Sequence, residues 1–266
     1  MNRFEIDCEL TYQVAAPTHF IFQIEAARTD RQHVVSETLD VSPDIERRHY
    51  DDPQSCNRFF RFDAPTGPLR VHYRATVDSQ PPIPDQSAAA DLVTALPDDV
   101  VHYLMPTRYC ESDLLGPAAQ RIFGDGTAKG CVEAVCAWIR EHIDYRIGMT
   151  TSTTTARDVF VMRSGVCRDF AHLGITFCRA LNIPARFVVG YVKFDEPPPD
   201  FHALFEAWIG GRWVLFDPTG LAPTERLVRV ATGRDAKDVA FATMFGPASM
   251  ISMAPLIEPV ITKIAA

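Results

Sequence analysis

The sequence predicts an α+β fold in two parts: an N-terminal antiparallel β-sandwich over residues 1–84 and an α+β unit over residues 85–266. Three observations predict it. Apolar and polar residues alternate repeatedly through the first part, the pattern of strands with one buried face. A proline run then interrupts the chain. Beyond it the apolar spacing changes to three and four residues before alternation returns, so helices precede a second set of strands. At roughly 150 residues per domain, a chain of 266 residues has room for two modest cores.

The first strand lies between Phe4 and Val14, where Phe4, Ile6, Cys8, Leu10 and Tyr12 alternate with Glu5, Asp7, Glu9 and Thr11. The same period recurs at Phe20, Phe22 and Ile24 and at Leu69, Val71, Tyr73 and Val77, with shorter strands expected over 34–41 and 59–62. Turn-rich stretches such as Ser42-Pro43-Asp44 and Ala64-Pro65-Thr66-Gly67 separate them, as in a sandwich. Pro81-Pro82-Ile83-Pro84 cannot supply a hydrogen-bond ladder and reads as a linker. After it, Val132, Val135, Cys136, Ile139 and Ile143 mark a helix with one buried stripe. Thr155 is positioned to cap a second helix over 156–163. A third is expected over 165–181, with Phe170, Leu173, Phe177 and Leu181 on one face, ending before Asn182-Ile183-Pro184. Strand character resumes over 186–192, 203–209 and 213–217.

Composition narrows the function classes. Twenty-six basic and 34 acidic residues give a net charge of −8 with no basic block, which argues against electrostatic capture of nucleic acid or an anionic membrane surface. Hydrophobic residues at 47% and charged residues at 23% are those of a folded chain. The seven cysteines are scattered and include no Cys-x-x-Cys pair, unlike a secreted disulfide framework or a zinc ribbon. Cys131 and Cys136 lie about 140° apart around a helix, too divergent to share one ion. The first ten residues carry acids where a signal peptide needs its apolar core, and nowhere do roughly 18 apolar residues run uninterrupted. A cytoplasmic location with reduced thiols is the expectation.

Cys167 sits in Arg163-Ser164-Gly165-Val166-Cys167-Arg168-Asp169-Phe170, at the expected start of the third helix. With Ser164 as N-cap it would be the third helical residue, where unpaired backbone N–H groups and the helix dipole favour a thiolate. A single cysteine is more often a packing residue, so Cys167 alone decides nothing. Downstream, two strand-like runs, from Asp200-Phe201-His202-Ala203 to Trp208-Ile209 and from Arg212-Trp213 to Phe216-Asp217, are joined by Gly210-Gly211. A two-residue turn there pairs Ile209 with Arg212 and sets His202 and Asp217 on one face as diagonal neighbours, roughly 7–8 Å apart at Cα. A three-residue turn would send Asp217 to the other face. With Cys167 placed against that face, the three residues divide the work of acyl transfer. Cys167 attacks an acyl carbon, His202 accepts the thiol proton and returns it to the leaving amine, and Asp217 fixes the imidazole. The Cys167 N–H supplies one oxyanion donor; the spacing identifies no second.

Gly165-Val166-Cys167-Arg168-Asp169-Phe170-Ala171-His172-Leu173, then Leu181-Asn182-Ile183-Pro184-Ala185-Arg186, Gly190-Tyr191, His202-Ala203 with Glu206, and Phe216-Asp217-Pro218-Thr219 together resemble the transglutaminase-like superfamily of cysteine enzymes. The resemblance covers roughly the second half of the chain. Pro106-Thr107-Arg108-Tyr109-Cys110 and the segment from Gly233 to Val239 resemble flanking pieces of bacterial members, which often carry an N-terminal β domain. It implies a papain-like α+β core and the catalytic set Cys167, His202 and Asp217. One departure is Leu204, two residues after the histidine, where members commonly have Trp; it bears on the acyl-side pocket and not on the triad.

The expected activity is thiol-dependent chemistry on the amide bond of a peptide or protein through a Cys167 thioester, with no metal or organic cofactor. Hydrolysis is expected over cross-linking. Acyl transfer to a small amine, in the manner of arylamine acetyltransferases, and a catalytically silent peptide-binding module are the other readings. His172 points about 140° from Cys167 around the helix and reads as a structural, hydrogen-bonded residue. Cys178 reads as core packing, and Trp208 and Trp213 as a cross-strand packing pair. For Arg168, Asp169 and Glu206 the sequence leaves structural and functional roles open. Pro197-Pro198-Pro199 would stiffen a loop before His202 or merely bridge two strands. Oligomeric state is not legible.

Overall fold

The structure, a computed structural model, describes residues 2–80, 92–124, 126–193 and 200–260. Both the expected linker at Pro81 to Pro84 and the proline run at Pro197 to Pro199 lie outside the described residues. In the first part, β1 (Asn2–Val14) is followed by β2 (Thr18–Phe22), β3 (Gln32–Ser42), β4 (Arg48–Asp51), β5 (Arg58–Ala64) and β6 (Gly67–Ser79). Strand β1 buries Phe4, Ile6, Cys8, Leu10, Tyr12 and Val14 and turns the residues between them outward, as the alternation requires. The two inner faces meet through aromatic side chains. Tyr12 of β1 packs edge-on against Phe20 and Phe22 of β2, at 5.3 and 5.9 Å between centroids.

The second part runs through α1 (Asp98–Val101), α2 (Ser112–Phe123), α3 (Ala128–His142), β7 (Asp144–Tyr145), α4 (Ala156–Met162), β8 (Ser164–Gly165) and α5 (Cys167–Ala180). It continues with β9 (Ala185–Tyr191), β10 (His202–Ile209), β11 (Arg212–Phe216) and β12 (Val228–Gly233), and the chain ends in β13 (Ala242–Phe245) and β14 (Ala248–Pro259). Strands β9–β12 form an antiparallel sheet in the order β11-β10-β9-β12. Thr155 caps α4 as expected, in a reciprocal box with Asp158.

The division at residue 84 does not hold for the C-terminus. Strand β14 pairs antiparallel with β1 and β13 with β2, so the last strands complete the two sheets of the sandwich, β14-β1-β6-β3 and β13-β2-β5-β4. The two parts are also knitted together by the segment after β2. Ala27 N donates to Arg229 O at 2.8 Å, and Tyr191 Oη donates to Ile24 O at 2.6 Å.

Helix α5 is the centre of the second part. All of its residues except Arg168 and Ala180 are buried. Phe170, Leu173 and Phe177 face α2, α3 and α4 in one apolar cluster, while Ala171, Ile175 and Cys178 face the sheet in another. The approach to the sheet is close at Gly174, where an added Cβ would lie 2.7 Å from the Phe205 ring. Among the described residues no helix is long and apolar enough to cross a membrane.

Candidate active site

The site is assembled at the N-terminus of α5. Arg163, left-handed at φ 59°, ends α4 and turns the chain into β8. Strand β8 pairs in parallel with β7, Ser164 opposite Asp144 and Gly165 opposite Tyr145. That pairing claims Ser164 for the ladder, so Ser164 is not the N-cap. Val166 takes that place in extended conformation (φ −117°, ψ 179°), and Cys167 is the first helical residue and not the third. The correction leaves Cys167 among the unpaired N–H groups of the first turn.

The missing cap is supplied from inside the helix. Asp169, wholly buried, accepts from Val166 N at 3.0 Å and Thr150 Oγ1 at 2.6 Å through Oδ2, and from Arg168 Nε and Nη2 at 3.0 and 2.7 Å through Oδ1. Arg168 in turn donates to Thr151 O at 2.8 Å. These two residues therefore pin the 150–151 loop to the turn that carries the thiol. Gly165 is required beneath them: a Cβ there would meet the Asp169 Cβ at 2.7 Å.

The hairpin has the expected register. Gly210 and Gly211, at φ 59° and 79°, make a two-residue turn that suits the twist of the strands, with Ile209 opposite Arg212 and Trp208 opposite Trp213. The ladder between β10 and β11 ends at Phe205 and Phe216, and beyond it His202 Nε2 meets Asp217 Oδ2 at 3.1 Å. Asp217 also accepts from Thr219 N and Oγ1 at 2.8 and 2.7 Å and from Ala222 N at 3.2 Å. Burial would raise this carboxyl, but the bonds from His202 and Thr219 outweigh it and hold Asp217 below its ordinary range. For His202, burial acts to lower the basicity; hydrogen bonding to Asp217 and Cys167 outweighs it and raises the imidazole to about 9.

Where the thiol sits differs from the expectation. Helix α5 packs on the face of β10 that carries Ala203, Phe205 and Ala207, whereas His202, Glu206 and Trp208 alternate onto the opposite face. Cys167 therefore does not lie over the histidine's face. It reaches His202 at the end of the strand, where the helix N-terminus overhangs the first residue of β10, and its Sγ lies 3.9 Å from Phe201 O. With Nε2 directed to Asp217, Nδ1 is the nitrogen left for the thiol.

Tyr145 joins this group unannounced by the sequence. Its place opposite Gly165 sets it beside the first turn of α5, and its ring packs on Phe170 at 5.7 Å. Burial, first, and then the neighbouring Cys167 raise the phenol well above its usual range, so it remains a protonated donor. Its two-residue strand follows α3 directly, and a lone parallel pair is too short for a period to reveal.

His172 is structural, as expected. Its ring stacks on Tyr109 at 5.2 Å, and Nε2 accepts from Ala236 N at 3.1 Å. Both flanking segments singled out in the sequence thus converge on this one side chain. Burial, and then Arg168 and Arg179, hold the imidazole well below its ordinary value. The linkage sign is that of a depressed base: stability is lost as pH falls below about 6.5, where the unfolded histidine takes up a proton. Wild-type stability relative to His172→Gln is expected to decline below that pH, by at most about 1.4 kcal/mol per pH unit, measured by urea titrations from pH 7 to 5. A pH-independent difference would refute the assignment. Cys178 is fully buried in the core. Glu206 is also structural, bridging Arg186 and Arg229. Trp208 and Trp213 pack edge-on at 5.3 Å. Among the described residues no group of three or more His, Cys, Asp or Glu side chains is arranged to hold a metal ion.

Comparison with known proteins agrees with this architecture. Residues 118–218 match the transglutaminase-like superfamily core, and residues 2–98 match the bacterial transglutaminase N-terminal domain. A crystal structure of a candidate cysteine protease from Cytophaga hutchinsonii is 43% identical and superposes with a TM-score of 0.95, covering 99% of this chain and 92% of that one. An uncharacterised protein of Mycobacterium leprae is 34% identical over 149 residues, and one of Mycobacterium tuberculosis is 37% identical over 109. The matched stretch is 52% of the length of the former and 35% of the latter, so this chain corresponds to about half or less of those curated relatives.

Proposed function

Since the chain belongs to the transglutaminase-like superfamily, we propose that it is a thiol hydrolase that cleaves amide bonds in peptides or proteins through a thioester on Cys167. The observation that carries the reading is the His202–Asp217 contact of 3.1 Å with the Cys167 thiol on the other side of the imidazole, at a helix N-terminus. An imidazole this basic already holds the proton the thiol gives up when the Sγ thiolate bonds to the acyl carbon, and then gives it to the departing amine. Water, deprotonated by the same imidazole, attacks the thioester and releases the acid and the free thiol. Likeness to the Cytophaga candidate protease over nearly the whole chain favours water over an amine as acceptor. A cytoplasmic site of action completes the proposal.

The developing oxyanion has the Cys167 N–H as one donor, and we assign the hydroxyl of Tyr145, which pairs with Gly165 just before the helix, as the second. Removing that hydroxyl in Tyr145→Phe keeps the packing on Phe170. It should lower kcat about 10²-fold with little change in KM. An unchanged kcat would remove Tyr145 from the reaction.

The direct test is intact-mass spectrometry after exposure to a mixed library of peptides and amides. An adduct on Cys167 that decays in water supports the proposal and reveals the acyl group. Adducts that decay only when a primary amine is added would make the protein an acyltransferase. No adduct from any amide would reject thioester chemistry.

A further inference from the structure

The face of the core sheet turned away from α5 borders a crevice of about 440 Å³ that the proposed reaction does not use. One wall is the sandwich, through residues 29–32 and Ser79, and the other is formed by β9–β12. At its floor Glu206 accepts from Arg186 Nε at 2.7 Å and Arg229 Nη1 at 3.2 Å, and Arg229 Nη2 contacts its other oxygen. Burial would raise the Glu206 carboxyl, but the two guanidinium groups hold it down at about 2, so the floor keeps one surplus positive charge. On the rim, Arg31 and Arg212 are balanced by Asp30 and Glu225. The crevice is thus net positive in a chain of net charge −8.

Arg186 is held as a receptor group would be. Its guanidinium lies over the Trp213 ring at 4.2 Å from the centroid, with Tyr103 at 6.0 Å, and its Nε is fixed by Glu206. Among the described residues its two Nη groups make no hydrogen bond, and the side chain retains 19% exposure. A guanidinium locked on one edge and one face, with its terminal N–H pair unspent, matches the two oxygens of a carboxylate or phosphate. We propose that this crevice binds a small oxyanion on the Nη edge of Arg186, at a site separate from Cys167.

Binding should be measured on the full chain carrying Cys167→Ala, so that the result is independent of the proposed catalysis. Thermal unfolding is followed against inorganic phosphate, succinate and chloride at matched ionic strength. Phosphate, succinate or both should raise the midpoint saturably where chloride does not, and the better of the two identifies the headgroup. Arg186→Lys keeps the charge but loses the fork, and should weaken binding about tenfold. Glu206→Gln removes the opposing charge and should tighten it about tenfold. Because the variants act in opposite directions, loss of stability cannot imitate the pair of results. A response identical to that of chloride, or a saturable one that both variants leave unchanged, overturns the proposal.

Discussion

Cys167→Ala is expected to reduce amide turnover at least about 10⁴-fold while shifting stability by no more than about 1 kcal/mol. The first figure follows from losing the proposed nucleophile beside His202 and Asp217. The second follows from the local structure. The helix start is held by Asp169 and not by the thiol, alanine is the best helix former, and the change removes one sulfur atom at a residue 9% exposed. Alkylation gives a companion result. Cys8, Cys110 and Cys136 are buried thiols that burial pushes up to about 12, and burial holds Cys178 well above its ordinary value too. Cys56 is exposed and is the informative comparison. Iodoacetamide near neutral pH should modify Cys167 faster than Cys56 despite its lower exposure, because Cys167 has an imidazole beside it. A destabilisation of several kcal/mol in Cys167→Ala, or faster labelling of Cys56, would make Cys167 a packing residue.

Much of this geometry was legible because it rests on short-range rules. A two-residue Gly-Gly turn fixes the register, and that register sets His202 and Asp217 together beyond the end of the ladder. What escaped involved contacts between distant segments. Helix α5 shows one apolar stripe, Phe170, Leu173 and Phe177, and its second buried face is written in the small residues Ala171, Gly174 and Cys178, which carry little periodic signal. Hence the sequence could not tell which face of β10 the helix covers. Ser164 looked like a cap because its type suits one, yet a parallel bridge to Asp144, twenty residues earlier, took it instead. Helix α2 contains Gly116-Pro117, which reads as a turn. Strand β14 has a bulge in its pairing with β1 and two prolines, which hide its alternation and with it the return of the chain to the sandwich.

Asp217→Asn should lower kcat between about 10² and 10⁴-fold without loss of the fold, and its pH dependence identifies the cause. Asparagine can still bond to the imidazole, but it no longer offsets the burial that opposes a charge on His202. The imidazole should therefore fall from about 9 toward its unperturbed value near 6.5, and the alkaline limb of the rate profile should move down with it. Stability provides an independent readout. A base raised from about 6.5 to about 9 contributes on the order of 3 kcal/mol below pH 6.5, and this is lost as pH rises through 9. The Asp217 carboxyl, held below its usual value near 3.9, contributes above that value and loses its contribution as pH falls through its lowered folded value. The stability gap between wild type and Asp217→Asn should accordingly be widest between about pH 4 and 6.5 and close toward both extremes. Chemical denaturation at five or six pH values across that span measures it. A gap that stayed constant with pH would mean that Asp217 acts through its bonds to Thr219 and Ala222, shaping the loop, and not through the charge it presents to His202.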